Sequence, residues 1–250
     1  MTDHEPALLV EIKDVTYTHW NHSAPTLKGL SLQIRRGTLN VLVGPGGSGK
    51  STICDLISGK IPHLLGGELS GEVWVAGQNT REVEVKDISH RVGYVFQDPE
   101  SMFATLTVED EIAFGPENLR QAPEAIRPLV EEMLDLTQLQ PFRKNLVWNL
   151  SGGQVQKLGL AAILAMRPEL IVLDEPTANL DPVATRSVHE LVRGLRDAGL
   201  TVLLVTRELD DFLAWVDQLL VLEDGHIFAA GAPYEVLMAS GQHMADHLGI

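Results

Sequence analysis

Cysteine is nearly absent: Cys54 stands alone in 250 residues. One thiol cannot close an intrachain disulfide, so the sequence reads as that of an intracellular chain. Aromatic residues make up only 5% and basic residues are outnumbered, with 19 Lys and Arg against 34 Asp and Glu, a formal charge of −15. So acidic a surface repels polyanions, which excludes a basic face tracking a nucleic-acid duplex; no nucleic-acid partner is expected. Long apolar runs are missing too. The longest, at 158–166 and 200–205, fall well short of the roughly 20 residues a bilayer-crossing helix needs. The acidic opening, MTDHEPALLV, lacks the basic start and apolar core of a signal peptide. Any membrane role must therefore run through a partner. Internal repeats and low-complexity tracts are also lacking.

What is present is a 44% hydrophobic content, enough for one large α/β domain or two small ones. Short β-branched runs alternate with helical patterns. The runs at 38–43, 170–173 and 201–205 are continuously apolar, as strands of a parallel sheet covered on both faces are. Between the last two, Val188, Leu191, Val192 and Leu195 recur at helical spacing before Gly199, completing a βαβ unit with a glycine helix stop. Residues 8–15, 26–34 and 72–75 read as strands with turns between them, predicting an antiparallel β layer beside the parallel core. A helical subdomain is expected at about 99–167, where Ile126, Leu129, Val130, Met133 and Leu134 keep a helical period. Pro128 should fall in that helix's first turn or kink it. Residues 231–250 read as a C-terminal tail, and Glu223-Asp224-Gly225 as a hairpin turn.

Three motifs carry chemistry. Gly44-Pro-Gly-Gly-Ser-Gly-Lys50-Ser51 lies between a buried strand and a helix expected over 52–58. Gly44, Gly46, Gly47, Ser48 and Gly49 let backbone N–H groups wrap a phosphate, Lys50 reaches the terminal phosphates, and the Ser51 hydroxyl, followed by Thr52, suits Mg²⁺. At the end of a second buried strand, Asp174 is placed to hold the Mg²⁺ shell, and Glu175, where the chain turns away, to orient an attacking water. Ser151, Gly152, Gly153 and Gln154 open a strongly helical segment, a second helix N-terminus suited to an anion. A single triphosphate has no use for two such helix starts from one chain, which suggests a site shared between two subunits. His19 with His22, and His243 with His247, lack the Cys or closely spaced acids of a metal site and read as surface residues. The pairs Asp210-Asp211 and Glu131-Glu132 read as solvated helix faces.

P-loop, Leu-Ser-Gly-Gly-Gln and Leu-Asp-Glu-Pro in this order resemble the ATP-binding cassette of ABC transporters, over nearly the whole chain. The resemblance implies the α/β P-loop NTPase fold of the ABC ATPases, with parallel core sheet, flanking antiparallel β layer and helical subdomain. It also implies ATP and Mg²⁺ as cofactors and a second cassette, in a homo- or heterodimer, as partner. Gln97, in Tyr94-Val-Phe-Gln-Asp-Pro, is similar to the family's Q-loop glutamine, which touches Mg²⁺ and reports to the membrane subunit. Asp181, ending Ala178-Asn-Leu-Asp, resembles the D-loop acid that crosses the dimer. The stretch 95–119, with Ile61-Pro-His-Leu-Leu, is similar to the ATPases of energy-coupling factor transporters, importers of vitamins and transition-metal ions. Those work at the cytoplasmic face of the membrane with an integral coupling subunit and a small substrate-binding membrane subunit. Met102, Phe103, Leu106, Ile112 and Phe114 in this stretch are expected to meet that partner. Two positions depart from the family. Arg207 stands where the family places a histidine beside the γ-phosphate, which implies slow turnover. The aromatic that stacks on adenine falls at His19 or Trp20, near Tyr17, with Trp20 offering the larger face. The alternatives are a degenerate, mainly regulatory cassette and a soluble ABC ATPase without a transport role. The ending His-Leu-Gly-Ile resembles the point where related ATPases continue into a second cassette or a C-terminal extension, and the sequence leaves open whether this chain does so.

Overall fold

The computed structural model describes residues 7–207, 209 and 213–248, with side chains to 245; Asp210, Asp211 and the side chain of His247 lie outside the described residues. Two sheets build the core. The first is antiparallel, in the order β2-β1-β4-β5, from β1 (Leu8–His19), β2 (Leu27–Arg35), β4 (Gly67–Val75) and β5 (Gln78–Asn79). The second has the order β10-β9-β3-β8-β7-β6, from β3 (Leu39–Val43), β6 (Val92–Val95), β7 (Leu170–Asp174), β8 (Thr201–Val205), β9 (Gln218–Glu223) and β10 (His226–Gly231). Strands β9 to β6 are parallel and only β10 runs against them. A parallel core sheet flanked by an antiparallel β layer and a helical subdomain is the architecture the sequence predicts.

Every residue of β3, β7 and β8 is buried, because each strand faces a different apolar cluster on its two sides. Val41, Ile171, Leu173, Val202 and Leu204 point into one cluster with the helices α4 (Val108–Asn118), α5 (Pro123–Thr137), α6 (Gly152–Leu164) and α7 (Pro182–Asp197). Leu42, Leu170, Val172, Leu203 and Val205 point the other way, into a cluster with α1 (Lys50–Ile57) and the antiparallel sheet. Period-two alternation thus sorts one continuous apolar run onto two faces. The short α2 (Lys60–His63) and α3 (Val85–Ser89) cap this second side.

Several boundaries differ from expectation for local reasons. Strand β1 runs on past Val15 because Asp14, at φ 48°, makes a bulge from which pairing with β4 resumes at Thr16. Gly71 allows it, since a Cβ there would sit 2.3 Å from the Asp14 carbonyl oxygen. Helix α1 begins at Lys50 rather than Thr52, directly after the left-handed Gly49. Pro128 lies inside α5, whose first residue is Pro123, and the helix continues through it. Its missing N–H removes only a bond to the Glu124 carbonyl, in the first turn. The C-terminal stretch is helical: α8 (Pro233–Leu248) buries Val236, Ser240 and Met244, four residues apart on one face. Among the described residues no helix is long and apolar enough to cross a membrane.

Candidate nucleotide site

The glycine loop leaves the C-terminal end of β3 and turns into α1. Gly44 must be glycine, because a Cβ would lie 2.2 Å from the Leu222 carbonyl oxygen on β9. Gly47 and Gly49 have φ of 79° and 107°, conformations that L side chains rarely adopt. At Gly46 and Gly47 an added Cβ would meet nothing within 4 Å, so the loop's inner wall is open. Lys50 folds back, donating from Nζ to the Gly44 carbonyl at 2.7 Å and the Pro45 carbonyl at 3.0 Å. Burial pushes its pKa down, with the nearby Glu175 carboxylate opposing that shift. The Ser48 hydroxyl is buried without a hydrogen-bond partner.

A cavity of about 540 Å³ opens over this loop, and Gln97, Asp174, Glu175 and Arg207 share it with Gly46, Gly47, Gly49, Lys50, Ser51 and Thr52. Residues far apart in sequence meet here because β3, β8 and β7 are neighbours ending on the same edge. Asp174 is the last residue of β7 and is only 8% exposed, with Oδ2 accepting from the Tyr94 hydroxyl at 3.1 Å. Glu175 takes φ 48° and donates its N–H to Val205 O at 2.9 Å, which turns its side chain out of the strand direction. Its Oε1 accepts from Arg207 Nε at 2.8 Å and its Oε2 from Gln97 Nε2 at 3.4 Å. Both carboxylate oxygens are engaged. A neighbouring cavity of about 620 Å³ shares Gln97, Glu175 and Arg207 and continues to Thr177, Asn179 and Arg186.

The residues fit a magnesium-bound nucleoside triphosphate. An open glycine cradle and a folded-back ammonium suit phosphate oxygens. The Ser51 hydroxyl, Gln97 amide and Asp174 carboxylate are the hard oxygen donors Mg²⁺ takes. His19 lines the cavity with its Nε2 3.3 Å from Thr52 Oγ1 and its ring edge-on to Tyr17, and His22 lines it too. Trp20 is 83% exposed and lies outside the lining.

Ser151, Gly152, Gly153 and Gln154 line neither cavity. They form the start of α6 through a reciprocal capping box: Ser151 Oγ accepts from Gln154 N–H, and Gln154 Oε1 from Ser151 N–H. Gly153 has a packing reason as well, since its Cβ would approach the Ala184 methyl to 2.8 Å. Asp181 caps α7, accepting from Val183 and Ala184 N–H groups. Sequence reasoning missed Tyr94, His22, Thr26 and the Asp224-Gly225 turn as neighbours of the site. The turn reaches it only because β9 pairs with β3, which no local pattern announces.

A glycine loop between an inner strand of a parallel sheet and a helix, facing two acids at the end of β7, the strand beyond β8, defines a P-loop nucleotide-binding protein. Residues 27–178 match the family model described as ABC transporter, and the chain belongs to the ABC transporter ATP-binding family. A Pyrococcus abyssi protein with the provisional name ABC transporter ATP-binding protein is 39% identical over 91% of this chain and 82% of its own. A Streptomyces avermitilis protein of the same provisional name is 41% identical over 93% of this chain, which spans only 42% of that relative. Among solved structures, CbiO1 from Clostridium perfringens, described as part of the ABC transporter complex CbiONQ, is 25% identical with a TM-score of 0.83, covering 97% of this chain and 96% of that one. The dimeric cassette MJ0796, described as a post-hydrolysis state bound to ADP and Pi, is 26% identical with a TM-score of 0.77, over 90% and 99% of the two chains.

Proposed function

We propose that this ATP-binding subunit hydrolyses ATP to power a membrane import complex of energy-coupling factor type, for a vitamin or transition-metal ion, at the cytoplasmic face of the membrane. Its partners are a second cassette, an integral coupling subunit and a substrate-binding membrane subunit. The observation that carries the reading is the meeting of Lys50, Ser51, Gln97, Asp174, Glu175 and Arg207 in one cleft while Ser151–Gln154 stay outside it. A triphosphate held by one chain then has an unfilled side for the partner's α6 N-terminus. Likeness to CbiO1 supports the energy-coupling type, and likeness to the ADP-bound dimer supports the paired arrangement.

Bound Mg²⁺ supplies charge neutralisation for the terminal phosphates. Lys50 exchanges its loop carbonyls for phosphate oxygens, Asp174, Ser51 and Gln97 hold the metal side, and Glu175 orients the attacking water. His19 offers its ring to the base, with Trp20 able to reach it only by moving. Lys50→Ala should abolish most nucleotide binding, because it touches ground-state phosphates. Glu175→Gln should leave binding intact and accumulate an ATP-bound dimer, because it acts on the water. Nucleotide affinity and size-exclusion chromatography with Mg²⁺ and ATP read both. Equal hydrolysis by wild type and Glu175→Gln removes Glu175 from its role.

One observation favours a slower, mainly regulatory variant of this reading: Glu175 is held by the guanidinium of Arg207, a donor fork with no acceptor atom to offer a water.

A further inference from the structure

We infer that Tyr94 is a positioning residue for the divalent cation: its hydroxyl fixes the Asp174 carboxylate so that one oxygen is held by the protein and the other is left for the metal. The inference rests on the proposed role of Asp174 as a holder of nucleotide-bound Mg²⁺.

The placement follows from register. Strand β6 pairs in parallel with β7, with Tyr94 opposite Val172. Alternation sends Val172 and Asp174 to the same side of the sheet, and Tyr94 belongs to the same apolar cluster as Val172. Tyr94 therefore stands beside the acid but one pleat short of it, and a side chain of phenol length closes the gap, donating to Asp174 Oδ2 at 3.1 Å. Shorter side chains on β6 could not reach.

The ring is fixed on its other sides. Phe96 lies 4.5 Å away, centroid to centroid. The Lys60 ammonium sits 4.4 Å from the Tyr94 ring centre and 3.8 Å from that of Phe96, and is itself paired with Asp55 at 3.3 Å. A donor held this firmly limits what its acceptor can do. A carboxylate at a strand end otherwise turns broadly about its last torsion, and ordering it costs free energy each time a cation binds. With Oδ2 occupied, Asp174 meets the metal already oriented, as hydrogen-bonded partners of metal-holding carboxylates do elsewhere. Packing alone does not call for this hydroxyl, since phenylalanine would keep the ring contacts.

The test is the factor by which Mg²⁺ tightens binding of a fluorescent, non-hydrolysable ATP analogue, measured on the full chain in EDTA and in excess Mg²⁺, with thermal unfolding alongside. Asp174→Asn should lose most of the factor. Tyr94→Phe should lower it about tenfold while leaving affinity in EDTA unchanged. Placing 4-aminophenylalanine at position 94, which keeps the ring and restores a donor, should recover it. If Asp174→Asn keeps the full factor, the reading of Asp174 is wrong. If Asp174→Asn loses it and Tyr94→Phe does not, Asp174 stands and the role of Tyr94 is overturned. It is equally overturned if Tyr94→Phe weakens binding as much in EDTA as in Mg²⁺, or if the donor variant fails to recover the factor.

Discussion

Glu175 stands engaged on both oxygens, by Arg207 and by Gln97, before any water could be offered to it. The arginine side chain is largely exposed, so the pair adds at most about 1 kcal/mol to stability. Its weight falls on turnover. A carboxylate already accepting from a guanidinium is a poorer acceptor for a water proton, and an arginine at this strand end approaches from the acid's side rather than from where phosphate charge develops. Arg207→His should therefore raise the single-turnover hydrolysis rate by about tenfold with ATP affinity little changed. A histidine variant no faster than wild type ends the idea of an impaired site. The pairing was legible because Asp174 and Val205 end adjacent strands, so Glu175, one residue past its strand, and Arg207, two residues past its own, emerge close together. Tyr94 was not legible as a site residue, because its link to Asp174 depends on which strand neighbours β7.

Between β6 and α6 the chain carries the apolar stretch read as a partner surface, and its residues divide. Ile112 enters the core and Phe103 packs against it, whereas Leu106 is 61% and Phe114 38% exposed. Buried Glu111 holds the intervening loop, accepting from the Ala104 and Thr105 N–H groups and the Thr105 hydroxyl. A loop tied down this way presents Leu106 rather than letting it fold inward. Leu106→Glu with Phe114→Glu should uncouple substrate uptake in reconstituted vesicles by about tenfold or more while ATPase activity stays measurable; unchanged uptake would count against this surface. The start of α4 is also bound to the segment leading to Ser151. Glu109 pairs with Lys144 and with Arg143, and Val108 N–H donates to Asn145 O. Lys144 foremost, then Arg143, holds the Glu109 carboxyl below its ordinary 4.5. A depressed carboxyl stabilises the folded state above that ordinary value and loses its contribution as pH falls through the lower folded one. Urea unfolding should thus find Glu109→Gln less stable than wild type near neutral pH, by about 1 kcal/mol, with the gap closing below pH 4.5. A gap that persists in acid would assign the effect to packing. Strands β3, β7 and β8 and helices α5 and α7 were readable from their apolar patterns, whereas β6, β9 and α4 were not. Nor were the length of β1 and the helical C-terminus, because a bulge at Asp14 and the packing of α8 against β9 and β10 decide them.

The chain as a whole carries two unlike pieces of chemistry that do not line one cavity: the glycine loop with its acids, and the capped start of α6. Their separation has a genetic counterpart. If each working site draws one piece from each of two chains, a chain crippled only in its loop and another crippled only at its α6 start remain half useful. Neither Lys50→Ala nor Ser151→Arg alone should hydrolyse ATP appreciably. Mixed in equal amounts, the two should form pairs in which one site has lost both pieces and the other has kept both, so activity should return toward roughly a quarter of wild type when pairing is random and one intact site suffices. Recovery would rise with the square of concentration where pairing is weak, and one variant in excess would act as a poison. Mixtures as silent as their components would mean that each chain works from its own residues, or that the two sites of a pair fire only together.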